Sequence, residues 1–98
     1  MPNQSEALTP TTPLALYANI TGSALIFSGP GSVVGILINS FTSGATFQLW
    51  ANTTATTAIT GVITPGSGER YIVVGARVNS GLYVSVGNTA INLTVLYN

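Results

Sequence analysis

The sequence predicts an all-β fold, an eight-stranded antiparallel β-sandwich, because its apolar residues recur in short runs and lack a helical period. Beyond residue 13, runs rich in Val, Ile, Thr, Tyr and Phe return about every ten residues, as in all-β domains. Clusters of Gly, Asn, Ser and Pro separate the runs. Eight short strands are typical of a jelly roll or another two-sheet sandwich.

Turn residues divide the chain into an arm and one strand-rich domain. Residues 1–13 contain three prolines and show no periodicity, which predicts an extended N-terminal arm, although their composition equally fits a disordered tail. The remaining residues, 14–98, form the predicted β-sandwich domain, and 98 residues are too few for a second core. Its predicted strands cover residues 14–20, 24–28, 33–39, 45–51, 57–63, 71–76, 82–86 and 90–97.

Two-residue alternation assigns the side chains to the two faces of each strand. In strand 90–97 the apolar face holds Ile91, Leu93, Val95 and Tyr97, opposite Asn92 and Thr94, and in strand 45–51 Phe47 and Leu49 lie opposite Thr46 and Gln48. This alternation is typical of half-buried antiparallel strands. Strands 33–39 and 71–76 are apolar on both sides, and such strands need cover on both faces, from a loop or from another subunit. In strand 33–39, alternation places Val33 and Leu37 on one face, opposite Val34, Ile36 and Ile38.

Charged residues are scarce. The chain is 46% hydrophobic and 4% charged, and its four charges are Glu6, Glu69, Arg70 and Arg77. Because net charge near zero promotes association, we infer that much of the surface is covered by partners. Two arginines do not make the basic stripe that binds phosphate, so neither nucleic acid nor an anionic membrane is an expected partner.

The same inventory argues against catalysis. Acid–base and nucleophilic chemistry usually rests on His, Asp, Glu, Lys or Cys, and only two glutamates are present. Glu6 lies in the arm and Glu69 in a Gly-rich loop, so no enzyme activity, catalytic residue, cofactor or metal site is expected. The first residues show no secretory signal and no apolar run could span a bilayer, which predicts synthesis in the cytoplasm unless the sequence is a mature fragment.

Several residues are candidate interface contacts. Trp50 shares a strand face with Thr46 and Gln48, so it could contact another subunit or a sugar ring, unless a bulge returns it to the core. Tyr17 and Tyr83 lie on the less apolar faces of their strands. The charged candidates serve either an interface or only solubility. The charged candidates are Glu69, Arg70 and Arg77. Val33 and Leu37 of the two-sided strand 33–39 complete the set.

Two segments carry a resemblance to a known family. These are GPGSVVGILINSFTSGATFQLW, from Gly29 to Trp50, and SGLYVSVGNTAINLTVLY, from Ser80 to Tyr97. They resemble small β-sandwich proteins encoded among the virion structural genes of tailed bacteriophages. The shared pattern is a Gly-led strand ending in Asn-Ser, a Ser-Gly turn, an aromatic-rich strand, and a closing Gly-Leu-Tyr-Val before a Thr-rich last strand.

The resemblance implies a jelly-roll-like domain on the capsid surface or in a head or tail appendage, often trimeric. Cement proteins of this kind bridge capsid subunits, frequently through an extended arm, which residues 2–13 would supply. The expected function is therefore that of a non-enzymatic capsid decoration or cement protein, made in the host cytoplasm and located in the virion. Its expected partners are further copies of the chain, with a trimer favoured, and a major capsid or other virion protein. The alternative is a receptor- or carbohydrate-binding domain of a phage fibre or appendage, with Trp50 contacting the sugar.

Overall fold

Two antiparallel sheets build the described part of the chain, residues 15–66, 68 and 70–98 of a computed structural model. These residues contain no helix, so the all-β prediction is confirmed. The seven strands, in chain order, are β1 (Leu16–Ile20), β2 (Ala24–Ser28), β3 (Gly31–Phe41), β4 (Thr46–Trp50), β5 (Tyr71–Val78), β6 (Gly81–Gly87) and β7 (Ile91–Tyr97).

The chain changes sheet at every connection. The four-stranded sheet has the order β1-β7-β3-β5, and the three-stranded sheet has the order β2-β6-β4. The first strand therefore pairs with the last, the second with the sixth, and the third with the fifth. Two further pairings, β3 with β7 and β4 with β6, join these pairs into sheets. Consecutive strands consequently lie on opposite sides of one core.

The core fills the space between the two sheets, where alternation points one side of every strand inward. The predicted inward face of the last strand is confirmed, since Leu93 and Val95 are fully buried. Removing each such side chain from water contributes roughly 1.5–3 kcal/mol to stability. The largest fully buried side chains, drawn from both sheets, are Phe47, Ile36, Leu49, Leu82, Leu93, Val33, Val84 and Val95.

The predicted strand at 57–63 is wrong, and the eight predicted strands become seven among the described residues. The segment lies beside β4 but makes only isolated bridges, Trp50 to Ala58 and Phe47 to Ile63. The two bridges are three residues apart on β4 but five residues apart on the segment. The segment therefore has two residues too many for a regular ladder of hydrogen bonds with β4. At this position the backbone N–H of Leu49 donates to the Thr60 hydroxyl at 3.3 Å. This hydrogen bond to a side chain takes the place of a backbone hydrogen bond that a regular strand would make.

A bulge in β3 changes which residues face the core. Between Val33 and Gly35, β3 advances two residues while β7 advances one, so Val34 is the extra residue. Val33 and Ile36 consequently both point inward and are fully buried. The predicted placement of Val33 and Leu37 on one face is therefore wrong: Val33 belongs to the core, whereas Leu37 points outward and is exposed.

The same bulge extends into β5. Val33 lies opposite Ala76 and Gly35 opposite Val73, so β5 carries one residue more than β3 across this stretch. Gly75 has a φ of +61° there, a left-handed conformation that glycine adopts without strain. The predicted arm at 1–13, with Glu6, lies outside the described residues.

Candidate functional site

The outer face of the four-stranded sheet is a broad surface built from residues that alternation turns away from the core. Its first row crosses all four strands through directly opposed residues: Tyr17, Leu96, Gly35 and Val73. Its second row crosses the same strands one pleat further: Asn19, Thr94, Leu37 and Tyr71. The two rows place side chains from distant parts of the sequence on one face of the sheet.

Five large apolar side chains of these rows form what we call the apolar patch: Tyr17, Leu37, Tyr71, Val73 and Leu96. Tyr17 is 73% exposed and Val73 is 75% exposed. Single exposed apolar residues are ordinary on a soluble domain, but a contiguous group on one sheet face marks an interaction surface. The patch is therefore the leading candidate site.

Gly35 lets the Tyr71 ring lie down across the middle of the face. A side-chain carbon at residue 35 would overlap the phenol of Tyr71, and it would meet the Ile72 carbonyl oxygen at 2.7 Å. Because residue 35 has no side chain, the tyrosine ring occupies the space above its backbone. This arrangement fills the gap between neighbouring strands and levels the apolar patch.

Beside the apolar patch lies an amide cluster of Asn19, Asn39, Asn92 and Thr94, which spans β1, β7 and β3. The Asn39 amide donates to Asn92 Oδ1 at 2.9 Å and to Thr94 Oγ1 at 2.8 Å. The Asn19 amide donates to the same two oxygens at 2.8 and 3.2 Å, and to the Leu93 carbonyl at 3.0 Å. The bulge at Asn39, where β3 has an extra residue against β7, brings this side chain into the cluster.

The outer face of the three-stranded sheet carries a second, smaller group. Leu25 lies opposite Tyr83, and Tyr83 opposite Trp50, so three large side chains form one row. The β4–β6 register has no shift, so Trp50 stays on the outer face rather than in the core. Its indole N–H donates to the Ser85 hydroxyl at 2.9 Å, which holds the half-buried ring against the sheet.

The charged candidates are placed apart from the apolar patch or at its border. Arg77 lies opposite Ser32 near the end of the edge strand β5 and is exposed. Arg70 directly precedes β5, and its carbonyl accepts the backbone N–H of Ile38 at 2.8 Å. Glu69 lies outside the described residues. The structure therefore groups Tyr17 with Leu37, and Tyr83 with Trp50, but does not bring the candidates into one site.

Sequence reasoning did not select Tyr71, Val73, Leu96 or Leu25 as site residues. The apolar character of strand 71–76 on both faces was the available signal for the first two. Leu96 breaks the polar side of its strand, after Asn92 and Thr94, and this irregularity was the signal there. Which strands become neighbours depends on long-range pairing, so the sequence alone did not indicate that these residues meet.

A pocket offers a different kind of site. It has a volume of ≈ 340 Å³ and opens widely to solvent at one end of the sandwich. It is lined by side chains with hydroxyl, amide or apolar groups: Thr21, Ser40, Phe41, Thr42, Ala90, Ile91 and Asn92.

Across the described ranges, no group of three His, Cys, Asp or Glu residues is placed to hold a metal ion. The same ranges contain no helix with the length and apolar character required to cross a membrane.

Comparisons of this chain with protein-family models, with curated proteins and with solved structures find no match.

Proposed function

We propose that this chain is a non-enzymatic virion structural protein, a capsid decoration or cement protein that stabilises a particle by self-association and by bridging capsid subunits. The apolar patch is the observation that carries the proposal. It combines large exposed side chains with a sequence that is only 4% charged. Such a surface favours a permanent contact over free diffusion as a monomer.

A jelly-roll topology is part of the same proposal. The strand pairings are nested: the first strand pairs with the last, the second with the sixth and the third with the fifth. This is the pairing of one long antiparallel hairpin that is rolled into two sheets. The segment 57–63 beside β4 supplies a reduced fourth pair at the closed end of that hairpin. Jelly rolls are common in viral capsid domains, which supports the proposed role by analogy of fold alone.

The proposal places the chain in the virion after synthesis in the host cytoplasm, with a major capsid protein or another virion protein as its partner. Neither nucleic acid nor membrane is part of it. A trimer remains a prediction that rests on the family resemblance. The sequence-based proposal that residues 2–13 form the bridging arm concerns residues outside the described ranges.

Attachment to particles tests the proposal directly. Phage particles assembled without the chain are mixed with the purified full-length chain, sedimented, and analysed for bound chain and for resistance to heat. We expect saturable binding at a fixed number of copies per particle and a higher temperature of particle disruption. A chain that stays in the supernatant at every concentration would contradict the virion role.

The row formed by Leu25, Tyr83 and Trp50 favours a second candidate function, weak carbohydrate binding by a fibre or appendage domain. Aromatic rings beside hydroxyl and amide groups are the usual lining of sugar sites, and Ser85 lies next to the indole. A glycan array gives a clear test: binding that is lost in Trp50→Ala and retained in Tyr17→Ala would support this function. An array without hits would exclude it.

A further inference from the structure

We propose that the outer face of the four-stranded sheet packs against the same face of a second copy of this chain, about a two-fold axis through the apolar patch. The inference rests on the proposed function, because it identifies the surface through which self-association occurs. It differs from the trimer prediction, since a contact between identical faces joins copies in pairs.

The size of the face fits a stable pair. Four strands spaced about 4.8 Å apart, with five to eleven residues each and about eight on average at about 3.3 Å per residue, give a face of roughly 20 by 25 Å. That outline covers about 500 Å². Because side-chain relief adds to the accessible area, the face is comparable with the roughly 800 Å² that one partner usually contributes to a specific interface. The face is therefore large enough without help from other elements.

The charge distribution favours a second copy over a charged partner. None of the five residues of the apolar patch is charged, so two copies meet without like-charge repulsion. Arg77 lies on the edge strand four residues beyond Val73, where it borders the face. A strongly charged partner would find no complementary charge inside the patch, whereas an identical apolar patch matches it in size and chemistry.

The hydrogen bonds within the amide cluster reduce the cost of placing its polar side chains at the border of such an interface. Burying a polar group is costly when its hydrogen-bonding partner is lost with the water. The amides of Asn19 and Asn39 already donate to Asn92 Oδ1 and Thr94 Oγ1 within one chain. Loss of water from these donors therefore costs less, and the arrangement matches an interface with an apolar centre and a polar rim.

The filled centre of the face suits sheet-on-sheet packing. Two sheets stack about 10 Å apart when the side chains between them fill one even layer. The Tyr71 ring lies over Gly35 and fills the space above that backbone at the centre of the face. A second sheet of the same shape is the occupant that this surface accommodates best.

A matched pair of substitutions tests the contact. Val73→Asp places a carboxylate in the apolar patch, and Val62→Asp places one at a site of similar exposure, 65% against 75%, in the segment beside β4. Sedimentation equilibrium of the full chain should give an even-numbered oligomer for the unchanged chain and for Val62→Asp, with at least tenfold weaker association for Val73→Asp. Association that is odd-numbered, or equally strong in both variants, would overturn the contact.

Cross-linking provides a readout that does not depend on weakening the assembly. The chain contains no cysteine, so one introduced thiol gives an unambiguous site. With a short bis-maleimide, Leu37→Cys should yield a covalent dimer at least ten times faster than Val62→Cys. Equal rates for the two variants would place the contact elsewhere on the molecule.

The two proposals fail separately. A chain that pairs through this face but does not attach to particles contradicts the virion role and leaves the contact standing. A chain that attaches to particles while Val73→Asp associates normally contradicts the contact and leaves the virion role standing.

Discussion

Gly35 leaves the space that the Tyr71 ring occupies on the outer face of the four-stranded sheet. The bulge beside it turns residue 35 outward, and the Tyr71 ring lies over the position that a side chain would occupy. The Ile72 carbonyl oxygen, part of the neighbouring strand, limits the same space from the side. A backbone neighbour cannot move away as a flexible side chain would.

Gly35→Ala should therefore destabilise the domain by about 1–3 kcal/mol, because both the ring and the strand must shift. Gly22→Ala is the control, since no atom lies within 4 Å of the added carbon and the backbone there is unstrained. Urea unfolding followed by Trp50 fluorescence measures both variants. Equal midpoints for the two variants would contradict the close approach at Gly35.

Thr94 joins both amide donors of the amide cluster through one hydroxyl oxygen. Thr94→Val keeps the shape of the side chain but removes this acceptor, so we expect a loss of about 0.5–1.5 kcal/mol. Thr64→Val, at an exposed position away from the cluster, should change stability by less than about 0.5 kcal/mol. Urea midpoints that do not separate the two valine variants would show that the cluster adds nothing to stability.

At the scale of the element, the β5 bulge decides which side chains reach the outer face. Gly75 adopts a φ of +61°, and no atom lies within 4 Å of the position that an added Cβ would take, so a substitution there tests backbone strain without a steric clash. Gly75→Val should lose about 1–2 kcal/mol of stability. Gly75→Asn should lose clearly less, because asparagine tolerates the left-handed region. Similar losses for both variants would indicate that the bulge is not what the substitution perturbs.

The segment 57–63 should exchange its amide hydrogens unevenly. The backbone N–H groups of Ile59 and Ile63 donate to Leu49 and Phe47 of β4 at 2.9 and 2.8 Å. Gly61 and Val62, which are exposed between these anchor points, lie where the segment departs from the ladder. Hydrogen exchange should show slow exchange at the two anchored amides and fast exchange at Gly61 and Val62. Uniform protection across 57–63 would indicate a regular eighth strand.

These elements show what the sequence could predict. Alternation in β4 and β7 was sufficient to assign Phe47, Leu93 and Val95 to the core, because neither strand contains an extra, bulged residue. Alternation failed at Val33, because a bulge arises from the pairing of β3 with two neighbours and leaves no local sign. The apolar patch depends on the same long-range pairing. The two-sided apolar pattern of strands 33–39 and 71–76 predicted that these strands need cover, but it did not predict which residues of other strands lie beside them.

For the whole molecule, the scarcity of charged residues determines how self-association depends on salt. Contact through an uncharged apolar face depends on burial, and salt screens charges without weakening burial. Self-association should therefore be unchanged, or modestly stronger, between about 0.05 M and 0.5 M NaCl, and stronger still in sulfate. Light scattering at a fixed protein concentration measures this. A steep loss of association with added NaCl would identify an ionic contact instead.

We propose that this chain acts as a structural part that associates with copies of itself. The most direct measurement is the molar mass of the purified, unmodified chain by sedimentation equilibrium from micromolar to near-millimolar concentration. We expect a mass that rises above the 10.0 kDa of one chain and settles at a multiple of it, which is even where the apolar patch forms the contact. A mass of 10.0 kDa at every concentration would contradict the account.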